Sequence, residues 1–150
     1  MPSRHWQIPE GLRVLPDGTW RVGEHQVLHP PTLRYFKSHL TADDGLFFVT
    51  DGAQRMPIQV EGPPFEVTTL VLDEAAGTAA VVLDDGSTEP VKDDALGMNA
   101  ETGRFECAVR GGSFRARLSR AAHQVLLDNV VEEDSAFFLR VGPRRITLRT

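Results

Sequence analysis

Length, composition and charge set the first limits on this chain. It has 150 residues, of which 41% are hydrophobic and 25% are charged, a composition typical of a globular domain and not of a disordered segment. The formal net charge of −5 argues against a general attraction to nucleic acid or to an anionic membrane. The single cysteine, Cys107, excludes an intramolecular disulfide and any multi-cysteine metal site.

The expected localisation of the protein follows from the targeting and membrane-spanning segments that the sequence lacks. Residues 1–6 contain no apolar h-region, so we expect no signal peptide. No stretch is long and apolar enough to span a bilayer. We therefore expect a cytoplasmic protein with no nucleic-acid partner, no membrane partner and no cofactor.

The first half of the chain predicts short strands around one helix. An Asp-Gly turn at residues 17–18 predicts a hairpin. Pro30 and Pro31 predict the start of a helix, in which Leu33 and Phe36 recur at the helical period, and which the Asp-Asp-Gly sequence at residues 43–45 would end. Further strands are predicted at residues 46–50, 56–60 and 65–72.

The second half predicts the same kinds of element. Strands are expected at residues 79–83, 88–91 and 105–110, the last with Cys107 on its buried face. Ser113 is interpreted as the N-cap of a helix whose apolar stripe runs from Phe114 to Val130. Residues 136–141 and 145–149 are expected to close the chain as a hairpin across Gly142-Pro143.

The two halves are alike at an offset of 90 residues. Residues of the first half match residues of the second in type and register, namely Asp44, Phe47, Phe48, Arg55, Met56 and Ile58 with Asp134, Phe137, Phe138, Arg145, Ile146 and Leu148. We therefore predict an α+β fold built by internal duplication, in which two similar strand–helix–hairpin halves, residues 1–75 and 76–150, pack together as one compact unit.

Several segments resemble a known bacterial family. The sequences Asp-Gly-Thr-Trp at residues 17–20, Asp-Gly-Leu-Phe-Phe-Val-Thr at 44–50, Arg-Met-Pro-Ile-Gln-Val-Glu at 55–61 and Arg-Gly-Gly at 110–112 are similar to the domain of unknown function 1285 (DUF1285) family. The likeness runs from about residue 16 to the end of the second helix, and the first half carries most of its specificity.

The resemblance implies a duplicated α+β core whose second half is pleckstrin-homology-like. It also implies a pocket between the halves for a nucleotide-like ligand, a role in signal transduction, and no established enzymatic activity. Two departures bear on the pocket: residues 50–54 replace a Thr-Pro-Val-Glu-Lys-type stretch, and the chain ends without the family's glycine-rich close. If that tail lines the pocket, ligand binding here differs from the family's or is lost.

The glycine-rich corner is the first candidate site. Gly111, Gly112 and Ser113 at a strand-to-helix junction would let a phosphate approach the backbone N–H groups of a helix start, with Arg110 and Arg117 pairing with its oxygens. The simpler alternative is a tight turn in which Ser113 only caps its own helix. Residues 104–120 are rich in arginine, which indicates either an anion site or a solvated face.

Three further residues complete the predicted ligand site. Arg55 and Arg145 occupy equivalent places in the duplication and would face one another across the two halves, or else remain exposed hairpin charges. Trp20 would line the same cleft, although a lone strand tryptophan is usually core. The five histidines show no metal-site spacing.

Three functions remain open at this point. The first is a sensory or regulatory module that binds a small anionic ligand. The second is a non-enzymatic module that binds a protein partner through exposed strand edges. The third is an enzyme on a nucleotide-like substrate, for which no P-loop, HExxH or GxSxG pattern is present.

Overall fold

The computed structural model describes residues 7–149, and the expectation about residues 1–6 lies outside them. The chain forms two compact units, Met1–Gly62 and Pro63–Thr150. In residues 7–149, neither helix is long and apolar enough to cross a bilayer.

In its described residues, the first unit is one six-stranded sheet with a single helix. Its elements are β1 (Leu12–Val14), β2 (Trp20–Val22), β3 (His25–Gln26), α1 (Pro30–Ser38), β4 (Leu40–Asp43), β5 (Leu46–Asp51) and β6 (Gln54–Val60). The strand order is β3-β2-β1-β6-β5-β4. Only the central pair, β1 and β6, is parallel. The two prolines that open α1 occupy positions where a missing N–H costs no helical hydrogen bond.

The second unit holds a six-stranded sheet, a helix and a three-stranded sheet. Its elements are β7 (Phe65–Asp73), β8 (Thr78–Leu83), β9 (Thr88–Pro90), β10 (Leu96–Met98), β11 (Phe105–Val109), β12 (Phe114–Leu118), α2 (Arg120–Asn129), β13 (Val130–Glu133), β14 (Ala136–Val141) and β15 (Arg144–Thr147). The larger sheet runs β10-β11-β12-β7-β8-β9 and the smaller one β13-β14-β15.

The two six-stranded sheets share one topology. In both, two three-stranded antiparallel meanders join through a single parallel pair, β1 with β6 in the first sheet and β7 with β12 in the second. Renumbered from its own first strand, β7, the second sheet has the same strand order as the first. The predicted α+β arrangement in two halves is therefore confirmed.

The structure contains the 90-residue repeat. The segment α1-β4-β5-β6 recurs as α2-β13-β14-β15, and each strand starts 90 residues after its counterpart. The ladder registers agree as well, because Thr50 pairs with Arg55 where Arg140 pairs with Arg145. Each helix is followed by three strands, whereas the sequence predicted only a two-stranded hairpin after each helix. The turn at residues 43–45 links β4 to β5 and does not end α1, which stops at Ser38.

The repeat extends to the strands before each helix. In the first copy β1 lies parallel to β6 with Arg13 opposite Gln59. In the second copy Gly97 of β10 lies parallel to Arg149, just beyond β15, and the Arg149 N–H donates to the Leu96 carbonyl at 2.8 Å. Arg149 therefore pairs with the edge of β10 at this position, as β6 pairs with β1 in the first copy.

The predicted start of the second helix was wrong. Residues 114–118 form β12, because Phe114, Ala116 and Leu118 are buried in alternation with two arginines, which is the two-residue period of a strand. The helix begins at Arg120. Its N-cap is Ser119, whose hydroxyl oxygen accepts a hydrogen bond from the Ala122 N–H at 3.1 Å.

Candidate functional site

The glycine-rich corner is a strand-to-strand turn. A single 3₁₀ turn, Arg110–Gly112, joins β11 to β12. Its three residues have φ values of +54°, +68° and +90°, a left-handed run that favours glycine. Since no helix starts here, the helix N-terminus that the phosphate hypothesis required is absent, and Ser113 is the exposed residue before β12.

Arg110 is already surrounded by carboxylates. Its guanidinium forms an ion pair with Asp85, and its Nε lies 3.2 Å from a Glu89 oxygen. Its backbone N–H donates to Glu89 at 2.9 Å, and the guanidinium carbon lies 4.9 Å from the centre of the Phe65 ring. Burial alone would raise the pKa of Asp85, but hydrogen bonds from Ser87 and the charge of Arg110 outweigh burial and hold that pKa below its usual value. Arg110 therefore anchors the corner to β9.

The cavity beside this corner is acidic. It has a volume of about 360 Å³ and is lined in part by Gly111 and Gly112. Its charged lining consists of Glu89, Asp93, Asp94 and Lys92. Three carboxylates against one ammonium disfavour a phosphate at this position.

Arg55 and Arg145 are held in equivalent local contacts, one in each unit. Arg55 donates to Asp43 at 2.8 Å and covers the Phe48 ring at 3.9 Å. Arg145 forms an ion pair with Glu133 and lies 5.8 Å from the Phe138 ring centre. The duplication therefore preserves an arginine, a carboxylate and an aromatic ring. About half of each arginine side chain is exposed, so these ion pairs contribute little to stability.

The two remaining predicted residues are accounted for by their own packing. Trp20 is 2% exposed and stacks on Phe36 of α1 with ring centroids 6.0 Å apart. Arg117 lies on β12 with its guanidinium 3.9 Å from Glu66. The structure thus brings Arg110, Gly111 and Gly112 together through their adjacency in the sequence, and among residues 7–149 it gives Arg110, Arg117 and Trp20 partners within the protein.

A different cleft opens where α2 begins. It has a volume of about 280 Å³ and lies beside the N-cap Ser119. Arg104, Arg120 and His123 line it together with Phe105, whose ring centre lies 5.3 Å from that of His123. None of the seven described lining residues is acidic. We call this the α2 cleft.

The two copies of the repeat carry different side chains at the α2 cleft. The β1–β2 and β10–β11 registers match, so Phe105 occupies the place of Trp20. In the first copy Trp20 fills the space against Phe36. In the second copy the equivalent positions hold Phe105 and Leu126, and the Phe105 ring lies against His123 and lines the cleft.

One polar cluster sits outside both clefts. The Tyr35 hydroxyl donates to Asp51 at 2.5 Å, and His39 Nε2 lies 4.0 Å from the other Asp51 oxygen. Burial, with the bond to Asp51 and its charge, raises the pKa of Tyr35 to about 12. The Tyr35 phenol is therefore a hydrogen-bond donor that ties α1 to β5 and not a nucleophile.

Cys107 is a core residue, as predicted. It is 1% exposed, and burial followed by the negative charge of Glu89 raises the pKa of its thiol to about 12. Within residues 7–149, no three histidine, cysteine or carboxylate side chains form a group that could hold a metal ion.

Comparison with solved structures identifies the fold. The crystal structure of a DUF1285 family protein from Silicibacter pomeroyi matches 97% of this chain and 85% of its own with a TM-score of 0.74 and 20% identity. The chain has the DUF1285 fold. A DUF1285 family protein from Shewanella baltica matches 78% of this chain and 90% of its own with a TM-score of 0.62 and 16% identity. No family model and no curated protein matches the sequence. The resemblance inferred from the sequence is confirmed for the fold.

On this DUF1285 fold, sequence reasoning missed the residues of the α2 cleft. Arg104 and Arg120 lie at the two ends of the arginine-rich stretch that the sequence singled out. Neither side chain pairs with a carboxylate of residues 7–149, unlike Arg110, Arg115 and Arg117 within the stretch. The two-residue period of residues 114–118 was the available signal, since it moves the helix start to Arg120.

Proposed function

We propose that this protein is a non-enzymatic sensory or regulatory module that binds a small anionic ligand in the α2 cleft. The observation that carries the proposal is the lining of that cleft, in which two exposed arginines and a histidine converge without an acidic residue among the described lining residues. Membership of the DUF1285 family is part of this proposal, and the shared fold supports it. The nucleotide-like ligand class and the role in signal transduction are also part of the proposal, and they rest on the sequence resemblance to that family.

The chemistry of the cleft suits an anion. Guanidinium groups pair with phosphate or carboxylate oxygens through two parallel N–H donors, and such charge-assisted bonds are among the strongest in proteins. The start of α2 adds partial positive charge on the same side. Because the chain as a whole is acidic, with a net charge of −5, the local excess of positive charge is a feature of this cleft and not of the whole surface.

A pleckstrin-homology-like second half also belongs to this proposal. Six strands, β7 to β12, precede a single helix in the second unit. In that unit α2 packs on β7 and β12, as a helix closing one end of a sheet would. A crystal structure that superposes this unit on pleckstrin-homology domains would test the likeness.

Thermal unfolding against a panel of anions tests the proposal. The panel contains inorganic phosphate, nucleoside monophosphates, cyclic nucleotides and nucleotide cofactors. A ligand at one hundred times its Kd should stabilise the fold by about 2.7 kcal/mol, which raises the Tm by several degrees for a chain of this size.

Matched variants locate the binding. Each of Arg104→Ala and Arg120→Ala should weaken binding by about tenfold or more, because a charge-assisted hydrogen bond contributes roughly 1.5–3 kcal/mol. The control is Arg34→Ala with Arg140→Ala, which removes the same charge from exposed positions elsewhere. Equal losses in both pairs would show that the cleft is not the site.

A protein-interaction module is the second candidate. It is supported by β13, an outer strand of the three-stranded sheet, beside which Phe137 remains 42% exposed. A stoichiometric partner that co-purifies, together with no response to any anion, would favour this candidate over the first.

A further inference from the structure

The α2 cleft has an apolar side that anion binding alone does not require. Phe105 lines the cleft, and Met98 lies directly opposite it on the neighbouring strand β10. Residues opposite one another on antiparallel strands point to the same face of the sheet. Met98 is 52% exposed, so an apolar side chain continues from the cleft onto the surface.

The first copy of the repeat shows that this exposure belongs to one copy only. Val14 and Trp20 form the equivalent cross-strand pair, and they are 0% and 2% exposed. The same two positions are therefore closed by the protein's own core in one copy and open in the other. Because Met98 and Phe105 are not covered as Val14 and Trp20 are, an apolar group of a ligand can pack against them.

We propose that the ligand of the α2 cleft is an amphiphilic anion, in which a phosphate group is joined to a small apolar ring. The phosphate contacts Arg104 and Arg120, and the ring packs against Met98 and Phe105. A methionine thioether and an aromatic ring both make favourable contacts with another ring. The volume of about 280 Å³ lies just below the range of about 300–1,000 Å³ of small-molecule sites, which suits a ligand with a single ring. This inference rests on the proposed function, since it names the ligand class of the same cleft.

Isothermal titration of the full chain with phenyl phosphate, inorganic phosphate and phenol tests the inference. Phenyl phosphate should bind about 10- to 100-fold more tightly than inorganic phosphate, which is the gain expected from burying an apolar ring. Phenol should bind more weakly than phenyl phosphate, because it lacks the anionic group.

A surface variant separates the two parts of the ligand. Met98→Ser should weaken phenyl phosphate binding and leave inorganic phosphate binding unchanged, and since Met98 is half exposed the fold should be retained. The matched control is Val71→Ser, which removes an apolar side chain of similar exposure, 46%, from β7 at a position that does not line the cleft, and it should change neither affinity.

The outcomes distinguish the two proposals. If phenyl phosphate and inorganic phosphate bind with equal affinity, or if Met98→Ser lowers the affinity for each of them by the same factor, the apolar part of the inference is wrong while anion binding stands. If neither phosphate binds, or if phenol binds as tightly as phenyl phosphate, the anion site itself is wrong.

Discussion

Replacing Ser119 by alanine tests where α2 begins, and with it the position of the α2 cleft. The Ser119 hydroxyl accepts a hydrogen bond from the Ala122 N–H at 3.1 Å and donates one to the Thr68 carbonyl at 3.2 Å. A lost N-cap costs about 1 kcal/mol, and a second lost hydrogen bond costs about as much. Ser119→Ala should therefore lower the free energy of unfolding by about 2 kcal/mol.

The matched control is Ser113→Ala, the serine that the sequence had suggested as the cap. Ser113 is exposed, and the N–H that it donates to the Arg110 carbonyl is kept in alanine. Its replacement should change stability by no more than about 0.5 kcal/mol. Urea unfolding monitored by circular dichroism measures the change in unfolding free energy for each variant, provided that the m-value stays the same as in the wild type. A neutral Ser119→Ala, or a Ser113→Ala that costs as much, would refute this account of the helix.

Two further predictions concern the second unit. Asp85→Asn should destabilise the protein by about 1.5–3 kcal/mol at pH 7, because it removes the charged partner of Arg110. The pKa of Asp85 is lowered in the folded protein. The stability difference between the wild type and Asp85→Asn should therefore be present above the unfolded pKa of about 4 and shrink as the pH falls below that value. Unfolding at pH 7 and at pH 3 measures this difference, and a difference that does not change with pH would contradict the reasoning. Gly142→Ala should lower the Tm much more than Gly52→Ala does. These two glycines are equivalent in the repeat and both have positive φ, but only at Gly142 would a Cβ collide with the Glu74 backbone. Equal losses of Tm would show that the structure relaxes around the added Cβ.

Local signals made much of the fold predictable. Paired prolines predicted α1 and an Asp-Gly turn predicted the first hairpin, and both lie where expected. The 90-residue repeat was visible because the phenylalanines and arginines kept their register through β5 and β6. The prolines and the turn depend on residues close in sequence, and the repeat is found by comparing the sequence with itself, so none of these signals needs tertiary information.

The prediction of where α2 starts was wrong because the sequence carries two competing signals. Two glycines followed by Ser113 are typical of a helix start, and Leu118, Ala122 and Leu126 continue at the helical period. The alternation of Phe114, Ala116 and Leu118 is equally typical of a strand, and pairing of β12 with both β7 and β11 decides the outcome. That pairing is tertiary and is not encoded in the local pattern.

The candidate site was harder to predict than the fold, because ion pairs between distant residues decide which arginines are available. Arg110 looked like an anion ligand until the structure brought Asp85 and Glu89 to it from the preceding hairpin. Arg104 and Arg120 were visible only as members of a basic run, and the cleft between them depends on how Phe105 packs.

Amide chemical-shift mapping by NMR tests the central claim most directly. Uniformly ¹⁵N-labelled protein would be titrated with phenyl phosphate and the backbone amide signals followed. The account predicts the largest shifts at residues 103–105 and 119–123, which surround the α2 cleft. Shifts confined to the acidic cavity around Gly111 and Gly112, or no saturable shifts at all, would contradict it.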